Sequence, residues 1–275
     1  RRSAPKWSPV SRVRASDPRY LRTGNSQSVK HTILRSLRWL AAAVLWSFVI
    51  CVLWVLVLRV IPPPVTWVMV DQSNEQGTLQ RDWCALDEMS HSMPLAVIAS
   101  EDQRFLHHHG FSWTAIKKAM EYNARKKGKK VKGASTISQQ TAKNVFCWPG
   151  RSFLRKGVEA GFTVLIEALW SKERIIEVYL NVAETGKGRF GVQATALTCF
   201  KHDASRLSTA ECALIAAVLP LPRKFNACAP SVYMRKRQGD IQRQMRLLGD
   251  VFDPAVMERT RERIRKEEEQ ERKGK

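Results

Sequence analysis

The residues with the densest chemistry run Glu101-Asp102-Gln103-Arg104-Phe105-Leu106-His107-His108-His109-Gly110, where adjacent carboxylates meet an arginine, an aromatic ring and three histidines. An acidic pair is ordinarily just solvated, so this one gains meaning only from its surroundings. The apolar run Leu95-Ala96-Val97-Ile98-Ala99 leads into Glu101, with Pro94 where a first helical turn tolerates proline. Glu101 is therefore expected at the carboxyl-terminal end of an apolar helix. Half-burial there raises a carboxyl pKa toward the range a general base or acid needs. The histidines carry less: consecutive residues of a regular element cannot converge on one ion, and no second ligand cluster matches them, so a zinc site is not expected.

Two further stretches could work with Glu101. In Gly133-Ala134-Ser135-Thr136-Ile137-Ser138-Gln139-Gln140, Thr136 and Gln139 have capping-box spacing, which starts a helix with free backbone N–H groups among small residues. Such a helix end can cradle a phosphate, with Lys143 one turn on as a counter-charge. Arg151 to Glu159 opens another helix, along which Val158, Phe162, Leu165 and Leu169 recur as a buried stripe. Arg155 and Lys156 stand four and three residues before Glu159 and share its face. The bland interpretation is a surface ion-pair cluster. The functional one is a second carboxylate held among cations, opposite Glu101, at a site that handles phosphate. The strongly basic segment Arg125 to Lys132 is too polar for a core and is expected to be a solvated loop able to guide an anionic substrate.

The rest of the chain must position these groups. Its 275 residues suffice for one globular domain with attached segments, and its formal net charge of +21 implies an anionic partner without choosing among nucleic acid, phospholipid and phosphorylated substrate. Residues 1–38 are rich in arginine, serine and proline and are expected to form a disordered basic arm. Residues 39–58 contain Ser47 as their only clearly polar side chain, between Arg38 and Arg59. At about 1.5 Å per residue such a helix spans roughly 30 Å, the hydrocarbon thickness of a bilayer. A single transmembrane helix fits better than a buried core helix or a cleavable signal. By the positive-inside rule the lysines and arginines before it are expected to leave residues 1–38 in the cytoplasm and everything after Arg59 in the periplasm.

Residues 59–92 are expected to be a juxtamembrane connector with a short strand at Val65 to Val70. Helices are expected at Trp113 to Tyr122, at Lys172 to Leu180 behind a Ser171 cap, and at Ala210 to Leu219 behind a Ser208/Glu211 capping box; Gly186, Gly188 and Gly191 mark a turn-rich loop. Residues 93–232 form the main domain, and residues 233–275 are expected to be a charged, solvated helical tail. Outside the apolar span lie Cys84, Cys147, Cys199, Cys212 and Cys228, an odd set without a CxxC pair, expected to be ordinary buried thiols in a compartment that permits a disulfide.

With these residues in place, the chain resembles the peptidoglycan glycosyltransferases, family fifty-one, in their monofunctional form. Glu101-Asp102, Phe105, His108 and Gly110 fit the first motif of that family; Gly133 to Asn144 fit the second; Arg155-Lys156 with Glu159 fit the third; Ile175, Glu177, Tyr179, Leu180 and Asn181 fit the fourth. Ser112 departs from the pattern, standing where the family usually carries aspartate. The resemblance implies a mainly α, lysozyme-like domain behind a single transmembrane helix. It also implies that this domain polymerises lipid II by inverting glycosyl transfer, releasing polyprenyl pyrophosphate. Glu101 would be the general base and Glu159 would assist the leaving group, directly or through Mg²⁺ or Mn²⁺. Ser135, Gln139 and Gln140 would line the donor site, and Lys143 and Arg151 would contact the pyrophosphate beside Arg155 and Lys156. Implied partners are lipid II and the growing glycan strand, the bacterial inner membrane, and divisome or other cell-wall synthesis proteins. The alternatives are a lysozyme-like lytic hydrolase and a membrane-anchored nucleic-acid module. No nucleic acid is expected, because no recognisable motif interleaves the basic charge.

Overall fold

From Asn25 to Leu58 the sequence contains neither glycine nor proline, and the chain forms one continuous helix, α1 (Gly24–Leu58). The structure, a computed structural model, describes residues 24–126, 133–150 and 152–273. The described residues divide into two compact units, one up to Trp54 and one from Val55 onward. Within α1, His31–Leu58 is long and apolar enough to cross a membrane, with Trp39, Val44 and Phe48 exposed. The helix begins well before residue 39, so the disorder expected up to residue 38 does not hold from Gly24 onward. Lys30, Arg35 and Arg38 are good helix formers, and their charge does not stop the helix. Residues 1–23 and the basic segment 127–132 lie outside the described residues.

The second unit is mostly helical. The strand expected at Val65 to Val70 is instead the start of α2 (Trp67–Gln76): Thr66 caps it, its side chain accepting from the Met69 N–H. Met69 and Gln72, three residues apart, bury one face of α2, which packs against a later helix, α5 (Ile137–Phe146). A local cap and a buried stripe thus outweigh the β preference of Val and Trp. After the short strand β1 (Gln80–Arg81), α3 (Ser92–Glu101) buries Met93, Ala96, Val97 and Ile98. Next comes α4 (Trp113–Arg125), capped by Ser112, whose hydroxyl accepts from the Ala115 N–H at 3.4 Å. Ser112 therefore keeps the N-cap role that aspartate also performs well.

Helices α5 (Ile137–Phe146), α6 (Phe153–Leu169) and α7 (Lys172–Val182) follow. Phe146 stacks on Phe162 with ring centroids 4.3 Å apart, which fixes α5 against α6. The buried face of α6 shares only Phe162 with the expected stripe. Glu159, Phe162, Thr163 and Ile166 are buried, whereas Val158, Leu165 and Leu169 are only half buried. Apolar spacing missed this face because two of its members are polar. α7 runs two residues past the expected end at Leu180; Asn181 is buried within it, and its side chain accepts from the Cys84 N–H at 2.9 Å and donates to the Cys84 carbonyl at 2.8 Å.

The glycine-rich loop forms a hairpin, β2 (Glu184–Gly186) and β3 (Arg189–Phe190). β3 is central in the order β1-β3-β2, parallel to β1 through Gln80↔Arg189 and antiparallel to β2 with a bulge between Glu184 and Gly186. Gly191 has φ +86°, and a Cβ there would lie 3.0 Å from the Asn181 carbonyl oxygen, so glycine lets the hairpin close onto α7. A short helix, α8 (Val192–Thr195), and a π turn at Ala196–Phe200 lead to α9 (Thr209–Val218). Every side chain of α9 from Cys212 onward is buried, and it packs against α3 and α10 (Val232–Leu248). Thus α10 docks one face on the core and is not part of a solvated tail. Met234, Ile241 and Met245 form a stripe hidden in the sequence by intervening charges, and Gln238 Nε2 donates to the Ala210 carbonyl at 2.6 Å. α11 (Pro254–Lys273) is laced with exposed ion pairs such as Arg261–Glu258, and α10 carries one on its outer face, Arg243–Asp240.

One thiol assignment also changes. Cys199 and Cys228 form a disulfide, while Cys84, Cys147 and Cys212 are free and buried. The bridge joins the π turn to the segment before α10, beside a cluster of Leu214, Val218, Ala227 and Met234. Its partners are 29 residues apart and belong to no spacing pattern, so only the fold pairs them.

Candidate active site

α3 stops at Glu101 because Asp102 leaves helical geometry, with φ −159° and ψ 78°. The buried Asp102 carboxylate then ties three segments together. Its Oδ2 accepts from the Ile137 N–H at 3.2 Å, at the amino terminus of α5, and lies 2.8 Å from His108 Nε2. The α5 terminus carries the expected capping box: Thr136 Oγ1 accepts from the Gln139 N–H, and Gln139 Oε1 accepts from the Thr136 N–H, both at 3.1 Å. Thr136 Oγ1 also donates to the Gly110 carbonyl at 2.6 Å. Gly110 has φ +84°, and a Cβ there would sit 2.8 Å from Thr163 Cγ2 on α6. Glycine is therefore required where the first motif, α5 and α6 converge.

This framework directs Glu101 into a cleft of about 580 Å³. Gln140 Nε2, one turn into α5, donates to Glu101 Oε2 at 3.1 Å, and Gln140 Oε1 accepts from the Tyr179 hydroxyl at 3.3 Å. Arg237 Nη2, from α10, lies 3.7 Å from Glu101 Oε1. Burial raises the Glu101 pKa above the ordinary carboxylate value; the Gln140 hydrogen bond and the Arg237 charge act in the opposite direction. A carboxyl group so placed is suited to accept a proton near neutral pH. Tyr179 is fully buried, which raises its pKa well above the ordinary phenol value and keeps it a hydrogen-bond donor.

The same cleft holds the second carboxylate. Glu159 is 3 % exposed, accepts from Arg155 Nη1 at 3.0 Å through Oε2, and takes the Lys156 ammonium on Oε1. Lys143 lines the same region; burial lowers its pKa, and the negative charge of Glu159 opposes that shift. The cleft thus presents a carboxylate of raised basicity and, separately, three cations gathered around a charge-paired carboxylate. That combination can deprotonate a hydroxyl and receive an anionic leaving group.

Of the residues singled out from sequence, Glu101, Ser135, Gln139, Gln140, Lys143, Arg155, Lys156 and Glu159 all line this cleft. Arg151 lies outside the described residues. Sequence reasoning overlooked Arg237, which sits in a run of like charges with nothing to distinguish it. It also overlooked Glu184 and Arg223, which line the cleft 3.8 Å apart. The glycines flanking Glu184 signalled a turn but not that its carboxyl faces the site.

The sequence profile of the family described as Transglycosylase matches residues 69–246. The chain belongs to the transglycosylase family. Its transglycosylase match opens in α2 and ends in α10, so it includes the helix that brings Arg237 to Glu101. Three similar proteins carry the name biosynthetic peptidoglycan transglycosylase. One, from Xanthomonas campestris pv. campestris (strain B100), is 52% identical over 222 residues, covering 78% of this chain and 89% of the relative. A second, from Pseudomonas entomophila (strain L48), is 53% identical over 219 residues, covering 78% and 92%. A third, from Pseudomonas syringae pv. syringae (strain B728a), is 50% identical over 229 residues, covering 81% and 93%. A lysozyme-like, mostly helical domain is the fold of this family, and the described residues are mostly helical.

Proposed function

We infer that this protein is a peptidoglycan transglycosylase that polymerises lipid II into linear glycan strands. The observation that carries the inference is the pairing, in one cleft, of Glu101 with the cation cluster on Glu159. Glu101 takes the proton from the 4-hydroxyl of the acceptor sugar as that oxygen attacks C1 of the donor. The configuration at C1 inverts and polyprenyl pyrophosphate leaves. Inverting transfer requires a base on one face of the sugar and stabilisation of the departing group on the other. Lys143, Arg155 and Lys156 meet the pyrophosphate charge, with Arg151 carried over from the family pattern as a further contact. Ser135 and Gln139 line the donor side, and Gln140, held by Tyr179, fixes the base.

Glu159 does not fit a resident Mg²⁺ or Mn²⁺. Both of its oxygens are already engaged by cations, and among the described residues no group of three or more His, Cys, Asp or Glu could hold an ion. A divalent ion would have to arrive with the pyrophosphate, and the three cations carry the leaving-group charge. Helix α1 supplies the membrane anchor, and the basic residues Lys30, Arg35 and Arg38, all before residues 39–58, favour a cytoplasmic amino terminus with the domain in the periplasm. A lytic hydrolase would also use a buried glutamate, but it has no use for a cation cluster beside it.

Incubation of the full chain with lipid II, and separately with finished glycan, tests the inference. Strand formation from lipid II is expected. Glu101→Gln should lose on the order of 10²- to 10⁴-fold in turnover. Soluble fragments from finished glycan without polymerisation would overturn it.

A further inference from the structure

The two oxygens of Glu101 are held unequally. Oε2 accepts a hydrogen bond from Gln140 on α5, whereas Oε1 faces Arg237 Nη2 at 3.7 Å, close enough for charge attraction and too long for a hydrogen bond. Arg237 is not a loose surface side chain, being 28 % exposed with its Nε buried and unpartnered. The helix beneath it is fastened on both sides of that position. Met234, Ile241 and Met245 are buried, Gln238 donates to the Ala210 carbonyl, and Gln103 Nε2 donates to Gln244 Oε1 at 3.2 Å.

We propose that Arg237 is a positioning residue for the reaction: it holds Glu101 ionised and oriented, leaving Oε1 as the oxygen that takes the substrate proton. The proposal rests on the transglycosylase assignment of the cleft. A carboxylate oxygen that already accepts a hydrogen bond is the less basic of the two, because the donor stabilises the charge on it. Oε2 is committed to Gln140, and Oε1 is charge-balanced yet uncommitted. In the step, the acceptor O–H breaks and its oxygen forms the new bond to C1, the C1–O bond to the pyrophosphate breaks with its electron pair leaving on polyprenyl pyrophosphate, and the proton passes to Oε1. Glu101 is then neutral and regains its charge by giving the proton to solvent, a loss that the nearby guanidinium favours.

The charged and titratable groups around Glu101 set the expected sign. Asp102 next along the chain raises its pKa, Lys143 from α5 and Arg237 from α10 lower it, and Tyr179 from α7 is a neutral phenol. Removal of Arg237 leaves desolvation and Asp102 less opposed, which moves the Glu101 pKa upward and the acidic limb of the rate profile to higher pH.

The test compares Arg237→Ala, Arg237→Gln and Arg237→Lys with wild type in the full chain. One measurement is kcat across pH with lipid II. The other is the carbon-13 carboxyl titration of Glu101, assigned by its disappearance in Glu101→Gln. In Arg237→Ala and Arg237→Gln the limb and the carboxyl titration should both move to higher pH, with activity on the acidic side falling about tenfold per unit moved. KM should change less than kcat, and Arg237→Lys should restore the wild-type limb. A uniform loss at every pH with an unmoved carboxyl titration would overturn the proposal, as would wild-type behaviour of both neutral variants. If Arg237→Ala does not fold, Arg237→Gln and Arg237→Lys still decide it. If wild type fails to polymerise lipid II, the functional assignment falls while the carboxyl titration still reports whether Arg237 acts on Glu101.

Discussion

His108 Nε2 lies 2.8 Å from Asp102 Oδ2, and the same oxygen receives the Ile137 N–H. Asp102 is therefore the joint between the end of α3 and the start of α5. Glu101 precedes the joint by one residue and its partner Gln140 follows it by one helical turn, so the distance between base and orienting amide depends on Asp102.

Asp102→Ala should therefore impair catalysis without touching substrate. It leaves the Ile137 N–H and a His108 nitrogen unpaired in a buried place, which costs about 3 kcal/mol. Urea melts should show that loss. The kinetic signature is a fall in kcat larger than any rise in KM, because the base is misplaced while the cation cluster still binds. A variant with unchanged stability and unchanged kcat would rule out the joint.

Removing the charge of Glu159 tests the other half of the cleft. Glu159→Gln leaves Lys143, Arg155 and Lys156 without their buried counter-charge, and truncation of one partner in such a pair costs about 3 kcal/mol. Inorganic pyrophosphate should raise the Tm of this variant more than that of wild type, because the anion replaces the missing charge. Equal shifts in the two proteins would show that the cluster is not an anion site.

Much of this site was legible in the sequence because its parts are local. Pro94 and the apolar residues after it mark a helix ending at Glu101, and the Thr136/Gln139 capping box marks the start of the helix that carries Gln140 and Lys143. The triplet Arg155, Lys156 and Glu159 is also local, although apolar spacing placed it on the wrong face of α6. What escaped is tertiary. The buried stripe Met234, Ile241 and Met245 is only three residues in a strongly charged helix, so α10 looked like solvent-facing chain and Arg237 like one cation among many. At Val65 to Val70, β-branched composition suggested a strand, but the Thr66 cap and the burial of Gln72 decide for helix.

The Cys199–Cys228 bridge should matter through the helix it precedes. Closing a segment of 29 residues restricts the unfolded chain by about 3–4 kcal/mol in the loop-entropy treatment. Cys199→Ser with Cys228→Ser should lower Tm accordingly and loosen the amino-terminal end of α10. Hydrogen exchange should then quicken at Val232 to Met234 more than in α5. Unaltered exchange in α10 would confine the bridge to a global role.

Glu101 itself should cost stability in a pH-dependent way. Burial raises its folded pKa above the model-compound value of 4.5, so the folded protein binds a proton more tightly than the unfolded chain. Stability therefore falls as pH rises, from full value below the unfolded pKa to its lowest above the folded one. Glu101→Gln is neutral at every pH and escapes that loss. Its amide oxygen can still accept from Gln140, and Arg237, being 28 % exposed, is partly solvated when its partner charge is removed. The Tm of Glu101→Gln should thus exceed that of wild type at neutral and alkaline pH, and the gap should close as pH drops below 4.5. Thermal melts across that range check it: a gap of constant size would mean that the stability difference is packing, and a gap that widens toward acid would mean that Glu101 is held ionised by its neighbours more strongly than burial opposes it.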